Sequence, residues 1–481
     1  MTVEGQGHVR DRRAWVRRFE DLAETRFIPL VVVLLALGVV FRLLLVWTTT
    51  SPSDPLNHLY PGYTDGYEYL DNARSLVDTG VYGYAGRPSA FRPPAYPFLI
   101  ALTWRLFGDS LTPIRIVQVG LFGVMTVVYV RVTAKHFGRV AGTLAAGFLS
   151  LYPLFAFMTT EIATESLYMV LASAAFALSF ALLEPHIRPG KRTWIAFIAG
   201  LICGTGTLTR PNMFVVFLLL LALIVAGGLW RREGWRAWLL PALGLVIGTY
   251  AVLIPWMSRN ERRLGAPVIT TNLYYNFFRG TFDLVEGIPM ETPIDVIFRN
   301  YHVLYEEEIE DVNTRQLSLG EVESERNART AALSIIRADP RGWLWQRIRN
   351  AAYLWLNLQW DPDLLHKSPI VFFAATSVTL VYYLLLAGAL LGSLLLWRAH
   401  QGPQERVFIA IAWLYMAAAM PAALSFVGKR YRVAMIDPYL ALLVCGALAS
   451  WLRRRRRARP GSVLCWNDQR QAVLAKTACR V

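Results

Sequence analysis

The run FIPLVVVLLALGVVFRLLLVW, Phe27 to Trp47, decides the class of fold. A helix of roughly 20 apolar residues matches the hydrocarbon core of a bilayer, and a soluble protein seldom tolerates one. Similar runs recur along the chain. Of its 481 residues 55% are hydrophobic and only 17% charged, against about 25% charged in an ordinary soluble protein. The reading is an all-α polytopic membrane protein. The net charge of +15 raises the question of nucleic acid. The arginines, however, gather at the ends of apolar runs, as the positive-inside rule requires, instead of studding one aromatic face. No nucleic-acid partner is expected. Cys203 and Cys445 sit in apolar segments and Cys465 and Cys479 in the tail, so no disulfide framework is expected.

Outward from that first run, residues 1–26 read as a basic cytoplasmic N-terminus carrying Arg10, Arg12, Arg13, Arg17 and Arg18. The apolar run is too long for a signal-peptide core and is expected to be a retained span. Residues 27–256 form an N-terminal transmembrane module whose first external loop is 48–112. Within that loop Asp65 to Thr79 has helical spacing and stops at Gly80, and Pro94 to Phe107 is apolar but too short to cross, hence interfacial. Spans follow at Pro113–Val132, Val140–Phe157 and Thr164–Leu183. Trp194–Trp230 is long enough for two, broken at Thr209-Arg210-Pro211-Asn212. Trp238–Trp256 crosses next. Residues 257–369 are read as a small external α-rich cap with a helix from Gly320 to Ala338. Trp343 to Trp360 follows as an interfacial helix with Arg347 and Arg349 on its polar side. Residues 370–452 hold the C-terminal spans and 453–481 a basic cytoplasmic tail. About ten spans result, with both termini in the cytoplasm.

On this topology Lys429, Arg430 and Arg432 fall in a short external turn, where basic residues are disfavoured. They read either as ligands of an anionic head group or as ordinary lipid anchors. Arg92 and Arg210 come to the same side. Glu161 and Glu165 stand one turn apart at the start of the fourth span. Glu161 is expected to face water, and Glu165, deeper, to brace an arginine or line a cavity. Asp65 is the best candidate general base, although a helix N-cap is its plain structural alternative. The acidic run Glu306–Asp311 reads as a solvated face more readily than as a divalent-ion site. No metal or other cofactor is firmly implied, and no Gly-x4-Gly-Lys loop or Ser-His-Asp set is present.

Several short motifs occur in order. They are Asp65-Gly-Tyr-Glu-Tyr69, Arg92-Pro-Pro-Ala-Tyr-Pro97 with Phe107-Gly108, Thr164-Glu-Ser-Leu-Tyr168, Leu208-Thr-Arg-Pro211, Pro255-Trp256 with Arg259-Asn260, and Arg430-Tyr-Arg432. Through them the chain, from about residue 28 to 452, resembles the bacterial relatives of protein O-mannosyltransferases and of the aminoarabinose transferases of lipid A. Those are integral-membrane glycosyltransferases of the GT-C fold that use polyprenyl-phosphate sugars. The resemblance implies that Asp65 is the catalytic base and that Arg92 meets the donor phosphate. Arg210, Lys429, Arg430 and Arg432 would be further phosphate-side residues, with Tyr69, Tyr96 and Glu165 at the substrate. Many relatives have Asp-Glu where this chain has Asp65-Gly66, which removes a second carboxylate from that position.

The function expected is an inverting transfer of a sugar from a polyprenyl-phosphate donor to a protein, lipid or glycan acceptor, on the external face of the plasma membrane. A transporter or flippase for lipid-linked saccharides is the alternative. It would require polar residues near the bilayer midplane and inverted repeats. A scaffold without chemistry is a third reading.

Overall fold

The computed structural model describes residues 18–49, 65–230, 234–282, 320–356, 369–398, 402–424 and 429–457. Among these, seven helices are long and apolar enough to cross a membrane. They are α1 (Phe27–Thr49), α4 (Leu111–Leu151), α6 (Glu165–Leu183), α8 (Met213–Trp230), α9 (Trp235–Leu264), α13 (Pro369–Arg398) and α14 (Pro403–Ala417, continued by a 3₁₀ turn at Met420–Leu424). Two further helices, α7 (Pro189–Thr207) and α16 (Asp437–Arg457), have spanning length. The first is rich in glycine and threonine and the second ends in five arginines.

The longest of the seven is two legs. Helix α4 has 41 residues, but Gly138 sits at φ 83° and ψ 170°, a conformation open to glycine and closed to helix. A Cβ built on Gly142 would lie 2.8 Å from the Cβ of Ala134, whereas eight residues of straight helix span about 12 Å. The chain therefore doubles back at Gly138, where two separate spans were expected. The break expected between Trp194 and Trp230 is also present, as residues 208–212 between α7 and α8.

Helices α7 and α9 pack at close range because each carries a Gly-x3-Gly pair, Gly200/Gly204 and Gly244/Gly248. A Cβ on Gly200 would collide with the carbonyl oxygen of Leu245, and one on Gly248 with that of Phe197. The C-terminal helices join the core through aromatic rings. Phe176 of α6 meets Tyr415 of α14 edge-on at 5.2 Å and Tyr439 of α16 at 5.1 Å.

The first loop supplies α2 (Asp65–Thr79), ended by Gly80 at φ 72°, then a two-stranded antiparallel hairpin, β1 (Gly83–Tyr84) with β2 (Arg87–Pro88), that no sequence signal announced. Helix α3 (Ala95–Phe107) follows Pro93-Pro94. It buries Tyr96, Ile100 and Trp104 and leaves Leu102, Leu106 and Phe107 exposed, an apolar outer face on a helix too short to span. Tyr69 and Tyr96 lock α2 onto α3 edge-to-face at 5.3 Å.

In the cap region α10 (Leu273–Phe282) packs on α11 (Glu321–Ala338), which is followed by α12 (Pro340–Leu356). Ala328, Ala332 and Ile335 form the contact, and the stripe begins with two buried carboxylates, Glu321 and Glu325. Arg347 is not on a polar face. It is buried and donates to the Leu424 carbonyl at 2.6 Å, while Leu344, Trp345 and Ile348 are exposed, so α12 turns its apolar side outward. Residues 357–368 and the acidic run at 306–311 lie outside the described residues. The last short helix, α15 (Lys429–Met435), leads into α16.

Candidate active site

Asp65 opens α2, and Glu68 follows three positions later on the same helical face. Both reach Arg92, which precedes the two prolines. Its Nη2 lies 2.6 Å from Asp65 Oδ1, and its Nε bonds Glu68 Oε2. The guanidinium also stands 5.5 Å from the Tyr69 ring centre and 5.2 Å from that of Phe91. Burial works against its charge, but Asp65 and Glu68 outweigh that and hold Arg92 well above the ordinary arginine range. Glu68, three positions after Asp65, is thus a second carboxylate on Arg92.

The backbone around Arg92 is pinned from several sides. Tyr82, itself buried, donates its hydroxyl to the Arg92 carbonyl at 2.8 Å. Arg259 donates to Ser89 O at 2.7 Å, Thr270 Oγ1 to Phe91 O at 2.9 Å, and the Ala90 N–H to Glu321 Oε2 at 2.8 Å. The Ala95 N–H donates to Leu208 O at 2.9 Å, which ties the start of α3 to the break that holds Arg210.

Arg210 sits in that break, its Nη1 2.6 Å from Glu165 Oε1 at the start of α6. Its guanidinium lies 4.5 Å from the ring centre of Tyr431 and 5.9 Å from that of Tyr168. Glu165 therefore braces an arginine, as one of its two sequence readings had it. Glu161 does not face water. It is buried, and its carbonyl accepts a 2.9 Å bond from Gln118, because the segment before α6 folds inward against α4.

A cavity of about 310 Å³ joins these parts. Asp65, Tyr69 and Arg92 line one side, Thr209, Arg210 and Asn212 another, Asn272, Tyr274 and Asn276 of the cap a third, and Tyr431 of α15 closes it. Three other expected residues do not line it. Tyr96 is buried with its hydroxyl on Gln118 Oε1 at 2.7 Å. Arg432 is buried against Asp437 Oδ1 at 3.2 Å and over the Tyr382 ring at 3.8 Å. Successive helical residues point about 100° apart, so when Tyr431 faces the cavity Arg432 turns into the bundle. Glu165 stands behind Arg210. The side chains of Lys429 and Arg430 lie outside the described residues. Asn212 and Tyr431 were read from sequence only as parts of the Thr209–Asn212 break and the Arg430-Tyr-Arg432 motif, and Asn272 and Asn276 not at all, since isolated amides carry no spacing signal. Among the described residues no three His, Cys, Asp or Glu side chains gather as a metal site would require.

Residues 91–257 match the family described as dolichyl-phosphate-mannose-protein mannosyltransferase. The matched segment runs from the residue before Arg92 through the break that carries Arg210. The match covers 167 of the 481 residues. Asp65 and Tyr431 lie outside the matched segment. No curated protein matches by sequence. Among solved structures the chain is similar to ArnT from Cupriavidus metallidurans bound to undecaprenyl phosphate, with 15% identity over 86% of this chain and 77% of that one and a TM-score of 0.36. It is also similar to the oligosaccharyltransferase AglB from Archaeoglobus fulgidus in complex with an inhibitory peptide and a dolichol-phosphate. The figures there are 13% identity over 91% of this chain and 52% of that one, with a TM-score of 0.47. The chain thus spans about half the length of the archaeal protein.

Proposed function

We propose that this chain is a membrane glycosyltransferase that moves a sugar from a polyprenyl-phosphate carrier to an acceptor hydroxyl or amine in a single inverting displacement. Asp65 takes the acceptor's proton as the nucleophile attacks the anomeric carbon. Arg92 and Arg210 meet the phosphate, whose charge rises as it leaves, so fixed guanidinium groups suit it better than a protonating acid. The observation that carries the reading is that one carboxylate and two arginines, from three separated segments, line a single cavity. The amides of Asn212, Asn272 and Asn276 are suited to sugar hydroxyls.

The cavity is read as opening on the external face. At the opposite ends of the same helices Lys135 lies 3.6 Å from Glu184, and the Gly138 turn abuts Arg453. Arg131, Arg139, Arg188, Lys191 and Arg192 crowd the same stretches. That end carries the positive charge expected in the cytoplasm, which supports an external cavity.

The test uses the full chain in vesicles loaded with a radiolabelled polyprenyl-phosphate sugar and offered a crude envelope acceptor. Covalent transfer of label supports the reading. Movement of the lipid across the bilayer without transfer would replace it with a flippase.

A further inference from the structure

Arg92 is held by two carboxylates through two different nitrogens, and only one of those carboxylates faces the cavity. Asp65 lines it and takes Nη2; Glu68 does not line it and takes Nε. The three side chains are similarly sheltered, 15%, 15% and 16% exposed. We propose that Glu68 is the positioning residue that keeps Arg92 on the cavity wall while the Nη2 bond to Asp65 is exchanged for one to the donor phosphate. The inference rests on the function proposed above and adds an order of events to it.

A guanidinium offers five N–H donors in a fixed fork, so one edge can stay on a carboxylate while the other turns to a phosphate. A carboxylate paired with a guanidinium is favoured in its charged form and is a poor proton acceptor. When the phosphate takes Nη2, Asp65 loses that partner and becomes the better base at the moment the donor is seated. The donor therefore binds before the acceptor is activated. In the transfer the acceptor proton passes to an Asp65 oxygen and the bond from acceptor to anomeric carbon forms. The bond from anomeric carbon to phosphate oxygen breaks with its electron pair on the phosphate, which goes from a monoanionic diester to a dianionic monoester. Asp65 then gives its proton to water, recovers Nη2 and helps expel the lipid phosphate. Lysine at position 92 has one ammonium centre and cannot hold Glu68 and a phosphate in this divided way.

The experiment measures undecaprenyl phosphate binding to the full chain in nanodiscs, recording dissociation constant and site number separately. Asp65→Asn is expected to bind severalfold more tightly than the wild type, and the gain is expected to vanish in an Arg92→Gln background. Glu68→Gln is expected to bind severalfold more weakly, because Arg92 then falls back entirely on Asp65. Simple charge repulsion predicts the opposite sign for Glu68→Gln, since it too removes a negative charge, and that result overturns the proposal. So does an Asp65→Asn gain that persists without Arg92. A fraction of misfolded Glu68→Gln lowers the site number and leaves the dissociation constant alone, and that pattern also counts against a positioning role. Wild-type binding without this coupling sinks only the exchange, whereas no binding by the wild type sinks the polyprenyl-phosphate reading with it.

Discussion

Arg210 and Glu165 meet at 2.6 Å across 45 residues of chain, one just past the end of α7 and the other at the start of α6. Each charge sits where a helix terminus favours it, the cation beyond a C-terminus and the anion at an N-terminus. With side chains only 9% and 1% exposed, the pair is buried, and it sets the arginine into the cavity wall beside Tyr431.

Removing one member leaves the other charge buried. Glu165→Gln is expected to cost about 3–5 kcal/mol, the usual penalty for breaking a buried pair from one side. The double change Glu165→Gln with Arg210→Met should recover much of that stability but not activity. Thermal unfolding in detergent checks both. Single and double variants that unfold together would show that the pair carries no coupling.

Asp65→Asn keeps the size and the helix-start chemistry of the native residue, so the fold should persist. Loss of general-base assistance is typically worth roughly 10²–10⁴-fold, and a drop in turnover of that order is expected, with undecaprenyl phosphate still bound. Wild-type turnover in a well-folded Asp65→Asn protein would remove Asp65 from the chemistry.

What was legible in the sequence was local. Helix α2 begins at Asp65 and ends before Gly80, and the chain breaks at Thr209-Arg210-Pro211-Asn212, because glycine and proline act through their own backbone. What was not legible depended on partners far away. Between the two expected spans Pro113–Val132 and Val140–Phe157 the sequence did not say that helix would run on as far as a single residue, Gly138, and reverse there. Glu68 gains meaning only from a guanidinium 24 residues on. Arg432 looked equivalent to Arg210 until helical phase turned it toward Asp437.

Glu325 gives the cap a pH dependence. Its carboxylate accepts the Tyr274 and Tyr275 N–H groups at 2.7 and 3.1 Å, and burial nevertheless pushes it up to about 7 from an ordinary 4.5. Between those two values the folded protein holds a proton that the unfolded chain has released. Its contribution to stability is therefore greatest below about 4.5 and declines as pH rises through 7. Glu325→Gln removes the titration. The difference in unfolding temperature between wild type and Glu325→Gln should thus shift against the wild type from pH 5 to 7.5. A difference that stays flat would place this carboxyl in its ordinary range.

The contact between α7 and α9 makes a strict structural demand. Gly200 and Gly248 face the carbonyls of Leu245 and Phe197, so the backbones of α7 and α9 touch where any side chain would intervene. Without a hydrophobic drive between helices in lipid, such packing supplies much of their association. Gly248→Leu must push the two helices apart by more than the width of a methyl group, and overpacking of this kind costs about 1–3 kcal/mol or more. The break with Arg210 lies at the end of α7, so the displacement should reach the cavity. Gly248→Leu is expected both to lower the unfolding temperature and to weaken undecaprenyl phosphate binding. By contrast Gly190→Ala, where a Cβ meets nothing within 4 Å, should do neither. A Gly248→Leu protein as stable as Gly190→Ala would show that these helices are not held at this distance.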